Sequence, residues 1–327
     1  MTTRFLKGGL VGAVALAVAA MAAAPAVAAE KVTYLLPAPA FLPAFGPWMV
    51  AKQRGYYAQE GLDVTFQAAQ GGVDAAKQVG VGNAQIGGAV GDTPIIVRAN
   101  GVPVKAVALL GGGGLMQLVV HADSGIKSPA DLKGKTVTVM AYQDTTYYVL
   151  LGMLGKVGLT KNDINAEAVG ATNVWKMFLA GQSAALASVP DWEGDLLQAG
   201  AKIDIIPADK YFQSMAQIIL ASDDMIKKRP DLIKKLVRAT LKGWEDVQKD
   251  PVSAAVDYCK AVPQRAGQDK QMAQVFELYK KYVYPGQAKP GVIDEKRLSA
   301  LQDFYLKQGI IEKATPVKDL YTNQFVE

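Results

Sequence analysis

Residues 32–64 read as a strand, a helix and a second strand, with the joints between them marked. Val32-Thr33-Tyr34-Leu35-Leu36 is apolar and β-branched, as a buried strand requires, and Pro43 to Gln53 is the connecting helix. That helix ends at Arg54, because Gly55 stands where a left-handed cap closes it and only glycine takes that conformation without strain. Tyr56 and Tyr57 cover the turn, Gly61 reverses the chain, and Leu62-Asp63-Val64 opens the next strand. A unit of this kind commits a chain to a sheet layered with helices.

The alternation continues. A helix near Val73 to Val79, a strand at Ala84–Gly88, a helix after Asp92-Thr93-Pro94 and a strand at Val104–Leu110 complete a first series. Gln117–His121 is extended, Ser128-Pro129-Ala130-Asp131 opens one capped helical turn, and a second series runs from Thr136 to Ile206. Its helices are expected at Thr145–Val157, Asn173–Ala180 and Trp192–Ala199, and Ala216–Ala221 is again extended. From Asp223 onward the pattern changes to charged amphipathic helices, the longest from Pro230 to Lys249. Strands alternating with helices predict parallel sheets covered on both faces. Two such blocks with a helical C-terminal part predict an α/β, two-lobed architecture with two crossover hinge strands. One lobe takes residues 29–117 plus 217–327 and the other residues 118–216. Open αβ sheets bind ligands beyond the carboxyl ends of their strands, so two facing lobes make a cleft.

The N-terminus is read separately. Arg4 and Lys7, the apolar run Gly8 to Ala24 and the small residues Ala26-Val27-Ala28 form a signal peptide over residues 1–28, cleaved near Ala28. The mature chain is therefore exported to the periplasm. Losing Arg4 and Lys7 takes the 35 basic residues to 33 against 30 acidic ones, a net charge of +3. This scattered charge argues against nucleic acid, which needs a basic stripe. Lys234, Lys235, Arg238 and Lys242 read as a solvated helix face, since Glu245 and Asp246 follow them. One cysteine, Cys259, excludes an internal disulfide and reads as a small core hydrophobe.

Five phrases, in this order, resemble one group of proteins. They are Gly55-Tyr56-Tyr57…Glu60-Gly61-Leu62-Asp63-Val64, Val81-Gly82-Asn83-Ala84-Gln85-Ile86-Gly87, Ile126-Lys127-Ser128-Pro129-Ala130-Asp131-Leu132-Lys133-Gly134-Lys135, Gly155-Lys156-Val157-Gly158-Leu159 and Phe178-Leu179-Ala180-Gly181-Gln182. They are similar to the NMT1-like periplasmic substrate-binding proteins of ABC importers, the sulfonate-, taurine-, nitrate- and thiamine-pyrimidine-binding group. The resemblance spans Val32 to about Asp250. It implies a type II periplasmic binding fold, capture of a small-molecule solute between the lobes, delivery to an ABC permease membrane subunit, and a monomer without cofactor. The chain has Ser183-Ala184-Ala185 where much of the group places an acidic residue, so the ligand does not carry over.

The cleft loops are 37–47, 69–73, 88–93, 111–116, 141–147, 170–175 and 189–193. They hold no Lys or Arg. Their aspartates are Asp92, Asp144 and Asp191, and aromatic residues recur among them. The candidate ligand-binding set is Phe41, Gln70, Asp92, Tyr142, Asp144, Thr145, Tyr147, Trp175, Asp191 and Trp192. Aromatic faces, hydrogen-bond acceptors and no cations favour a planar, neutral or N–H-bearing solute such as a pyrimidine or other heterocycle. Free N–H groups at helix starts leave an alkanesulfonate or taurine as the alternative. A sensor module for a membrane receptor is a further one.

Enzymatic readings fare worse. The glycine run 111–114 lacks the Lys-Ser or Lys-Thr of a nucleotide loop and reads as a hinge or close-approach loop. Fungal pyrimidine synthases share the scaffold, but their family requires a reactive histidine and a cysteine-rich iron-binding motif. A single histidine, His121, and a single cysteine supply neither that motif nor a metal site. No Ser-x-x-Lys or Gly-x-Ser-x-Gly offers an activated nucleophile.

Overall fold

The computed structural model describes residues 1–2, 28–142 and 144–326. The signal peptide expected at residues 1–28 falls almost wholly outside them. No helix among the described residues is long and apolar enough to cross a membrane.

Among the described residues, ten strands make two five-stranded sheets. The first holds β1 (Glu30–Leu36), β2 (Leu62–Ala68), β3 (Ile86–Val90) and β4 (Val104–Leu110), with β10 (Gln217–Ser222) inserted between β3 and β4, in the order β2-β1-β3-β10-β4. The second holds β5 (Gln117–His121), β6 (Thr136–Val139), β7 (Asn165–Ala168), β8 (Ala185–Ser188) and β9 (Ile203–Pro207), in the order β7-β6-β8-β5-β9. The two sheets share one plan. In each, a strand laid down after a crossover lies between the third and fourth strands of an αβ series. That inserted strand corrects the expectation of parallel sheets: β10 runs against β3 and β4, and β5 against β8 and β9. Side-chain patterning reports which face a strand buries, not its direction, so the reversal was invisible to it.

Burial follows the strand period of two. In β5, Leu118 and Val120 enter the core beneath helix Thr145–Lys156, while Val119 packs on the opposite face with Val174, Phe178, Leu186 and Leu196. The helix Pro230–Lys249 buries Leu232, Ile233, Leu236 and Val237 with the first sheet's core. Gly55 has a positive φ of 72°, as the cap requires, and beyond it Tyr56–Gln59 coil into a short helix rather than a turn. Cys259 is buried and unpaired, and His121 stacks on Phe178 with ring centroids 4.0 Å apart.

Two segments connect the sheets, 111–116 and 208–216. The first contains the glycine run, and close approach is its role. A Cβ on Gly112 would stand 2.4 Å from the carbonyl carbon of Gly286. Arg297, on helix Glu295–Lys307, clasps both crossovers: it donates to the Gly112 carbonyl and pairs with Asp209 at 2.9 Å. Asp209 in turn accepts from the Gly114 N–H at 2.8 Å.

Candidate functional site

A cavity of about 480 Å³ lies at the seam between the sheets, in the size range of small-molecule sites. Every expected cleft loop except 69–73 contributes to it. From the first sheet's side come Pro37, Phe41, Ala44, Phe45 and Val90; from the second come Met140, Asp144, Thr145, Trp175, Asp191 and Trp192. A second hollow, of about 450 Å³, lies against helix Pro230–Lys249, where Arg238 pairs with Glu60. No residue of either crossover lines it.

Six of the ten expected site residues line the seam cavity: Phe41, Asp144, Thr145, Trp175, Asp191 and Trp192. The other four do not. Gln70 is exposed, and its N–H donates to Asp74 at the start of helix Gly72–Gly80. Tyr142 is 48% exposed and turns outward, its hydroxyl donating to the Ala166 carbonyl of the outer strand β7. Tyr147 packs into the core of the second sheet. Asp92 is buried behind the wall, where Tyr305 donates to its Oδ2 at 2.5 Å and Thr145 to its Oδ1 at 3.3 Å. That burial raises its pKa to about 6.

Three acidic residues reach the cavity, Asp144, Asp191 and Asp195, and the first two differ in setting. Asp144 caps helix Thr145–Lys156 by accepting from the Thr146 N–H at 2.9 Å, and burial raises its pKa. Asp191 accepts from the Tyr279 hydroxyl at 3.0 Å and from the Ala44 N–H at 3.4 Å. Burial lifts it to about 7, so it holds a proton far more readily than an exposed aspartate. Two residues on in the same helix, Glu193 is fully buried with both carboxylate oxygens unpartnered among the described residues. Desolvation raises Glu193 to about 8.

The expectation of a cation-free groove needs correction. The cleft loops carry no Lys or Arg, but Arg265, from the helical C-terminal part, lines the cavity. Its Nε donates to the Phe41 carbonyl at 3.0 Å and its Nη1 to Gln268 at 3.1 Å. Tyr279, Ser214, Met215 and Gln217 are further lining residues that the strand-end rule missed. They belong to the second crossover and to C-terminal helices, which that rule does not address. A polar residue opening the apolar run Gln217-Ile218-Ile219-Leu220 was the available signal.

This architecture is found in solved binding proteins. The aliphatic sulphonate-binding protein SsuA of Escherichia coli superposes with a TM-score of 0.73 at 16% identity, over 88% of this chain and 96% of that one. The alkanesulfonate-binding protein SsuA of Xanthomonas axonopodis pv. citri, solved with MOPS, gives 0.68 at 18% identity, over 90% and 98%. The fold is that of the periplasmic binding proteins. At the level of sequence, residues 42–254 match the family described as NMT1/THI5 like. The chain belongs to that family. Among proteins similar to the chain is the riboflavin-binding protein RibY of Chloroflexus aurantiacus, 24% identical over 288 residues, 86% of this chain and 82% of RibY. The chain is also similar to a protein named for an enzymatic activity: a 4-amino-5-hydroxymethyl-2-methylpyrimidine phosphate synthase of Saccharomyces cerevisiae is 25% identical over 253 residues, 72% of each chain.

Proposed function

We propose that this protein is the periplasmic solute-binding component of an ABC importer, and that its solute is a planar heterocycle bearing N–H groups. The reading rests on one observation: the seam cavity between two sheets of equal plan, walled by Phe41, Trp175 and Trp192 and furnished with the carboxylates of Asp144 and Asp191. Indole and phenyl faces complement a flat ring, and carboxylates accept from ring or exocyclic nitrogens. RibY and the pyrimidine synthases bear names of planar heterocycles, which agrees with that chemistry. The lobes are residues 29–117 with 217–327, and 118–216; they close on the solute as a monomer and present it to a permease. Residues 1–28 direct export and are removed.

Arg265 supports a second reading, an alkanesulfonate or taurine. A guanidinium in the cavity is the group a sulfonate would seek. Calorimetric titration separates the two. Riboflavin or 4-amino-5-hydroxymethyl-2-methylpyrimidine is expected to bind, and taurine and alkanesulfonates are not. Tight binding of sulfonates alone overturns the heterocycle reading.

A further inference from the structure

Gln217 is the first residue of β10, directly after the second crossover. Its side chain lines the cavity and is only 5% exposed. The two ends of its amide are distinguishable by chemistry. One end lies 2.9 Å from the Ala44 carbonyl oxygen, which can only accept, so that end is the nitrogen. The other end, Oε1, is therefore a fixed acceptor. It is buried and has no partner among the described residues. Buried carbonyl oxygens without partners are rare and destabilising, and a ligand is one way to satisfy them. Ser214 repeats the observation three residues earlier: it lines the same cavity, and its buried hydroxyl is likewise unpartnered. The Ala44 residue that anchors Gln217 through its carbonyl also donates its N–H to Asp191, so both acceptors are held from one point of the chain.

We infer that Gln217 determines solute specificity, its Oε1 accepting an N–H of the bound heterocycle. The inference rests on the heterocycle reading and adds the residue that enforces it. A simple alkanesulfonate brings only acceptor oxygens and leaves Oε1 unpaired. A lactam, imide or aminopyrimidine brings the missing donor.

Gln117 provides a control. It opens β5 as Gln217 opens β10, its Nε2 is bonded to the Gly114 carbonyl at 3.2 Å, and its Oε1 is also unpaired, but it does not line the cavity. The test uses the full chain and two probes that differ in one N–H, riboflavin and 3-methylriboflavin, titrated into wild type, Gln217→Met and Gln117→Met. Wild type and Gln117→Met are expected to prefer riboflavin by about ten-fold or more, and Gln217→Met to bind both probes alike and more weakly. If the pyrimidine is the tighter ligand, its 4-amino and 4-dimethylamino forms make the same comparison. A preference retained in Gln217→Met, or absent from wild type, overturns the inference and leaves the heterocycle reading standing. Wild type that binds neither flavin nor pyrimidine overturns that reading, and the inference with it. The wild-type comparison of the two probes does not depend on how well the variants fold.

Discussion

The Tyr279 hydroxyl donates to Asp191 Oδ1 at 3.0 Å, joining helix Asp269–Tyr282 of the C-terminal part to helix Pro190–Gln198 of the second sheet. A carboxylate on one side of the seam is thus held by a phenol on the other, with no basic partner in its hydrogen-bonding shell. Asp92 is also joined across the seam, accepting from the Thr145 hydroxyl on the far side and from Tyr305 on its own.

These buried acids make stability depend on pH. Burial raises Asp191 to about 7 and Glu193 to about 8, so the folded chain keeps protons that the unfolded chain releases. The stability gained this way is complete below the unfolded carboxylate values of about 4 and is lost as pH rises through 7 and 8. Melting temperature is expected to fall between pH 5 and pH 8.5. Glu193→Gln should flatten that slope and stabilise the protein at pH 8 by about 2 kcal/mol, because no charge is then left dry. Scanning calorimetry across this range checks it; an unchanged slope in the variant refutes it.

Trp192→Ala and Trp175→Ala each remove a ring from the cavity wall. Each is expected to weaken binding of the heterocycle by about ten-fold or more while leaving the melting temperature of the free protein nearly unchanged, since both indoles are only partly buried. Titration followed by intrinsic fluorescence measures both effects.

Gly112→Ala places a methyl group 2.5 Å from the backbone nitrogen of Gln287, and backbone atoms cannot turn aside as a side chain can. The expected cost is about 2 kcal/mol or more in chemical denaturation. Gly155→Ala, where a Cβ meets nothing within 4 Å, should be harmless or slightly stabilising.

Arg297→Ala leaves Asp209 without its ion pair and frees the Gly112 carbonyl. Denaturation is expected to show a loss of about 2 kcal/mol. Arg297→Lys should recover only part of it, since one ammonium does not reproduce a guanidinium that reaches both crossovers.

Much of the fold was legible because its signals are local. Gly55, Ser128 with Asp131, and the apolar stripe of Leu232, Ile233, Leu236 and Val237 each report their own element, and the helix from Pro230 to Lys249 has the bounds its sequence predicts. The directions of β5 and β10 were not legible, since they follow from where the chain arrives after a crossover. The site divides in the same way. Trp175, Asp191 and Trp192 lie in the first turns of helices that follow strand ends and could be found by topology. The fate of Asp92 is set by Tyr305, 213 residues away, and the entry of Arg265 into the cavity by its bond to the Phe41 carbonyl, 224 residues away. Contacts of that span leave no trace in the spacing of neighbouring residues.

The placement of β10 also bears on how the polypeptide assembles as it is synthesised. Strands β5 to β9 occupy an unbroken stretch and need nothing made after Pro207 to form their sheet, whereas β3 and β4 stay apart until Ser222 has been produced. The portion synthesised first is thus completed second, and its exposed strand edges must be kept from neighbours while the ribosome finishes the rest.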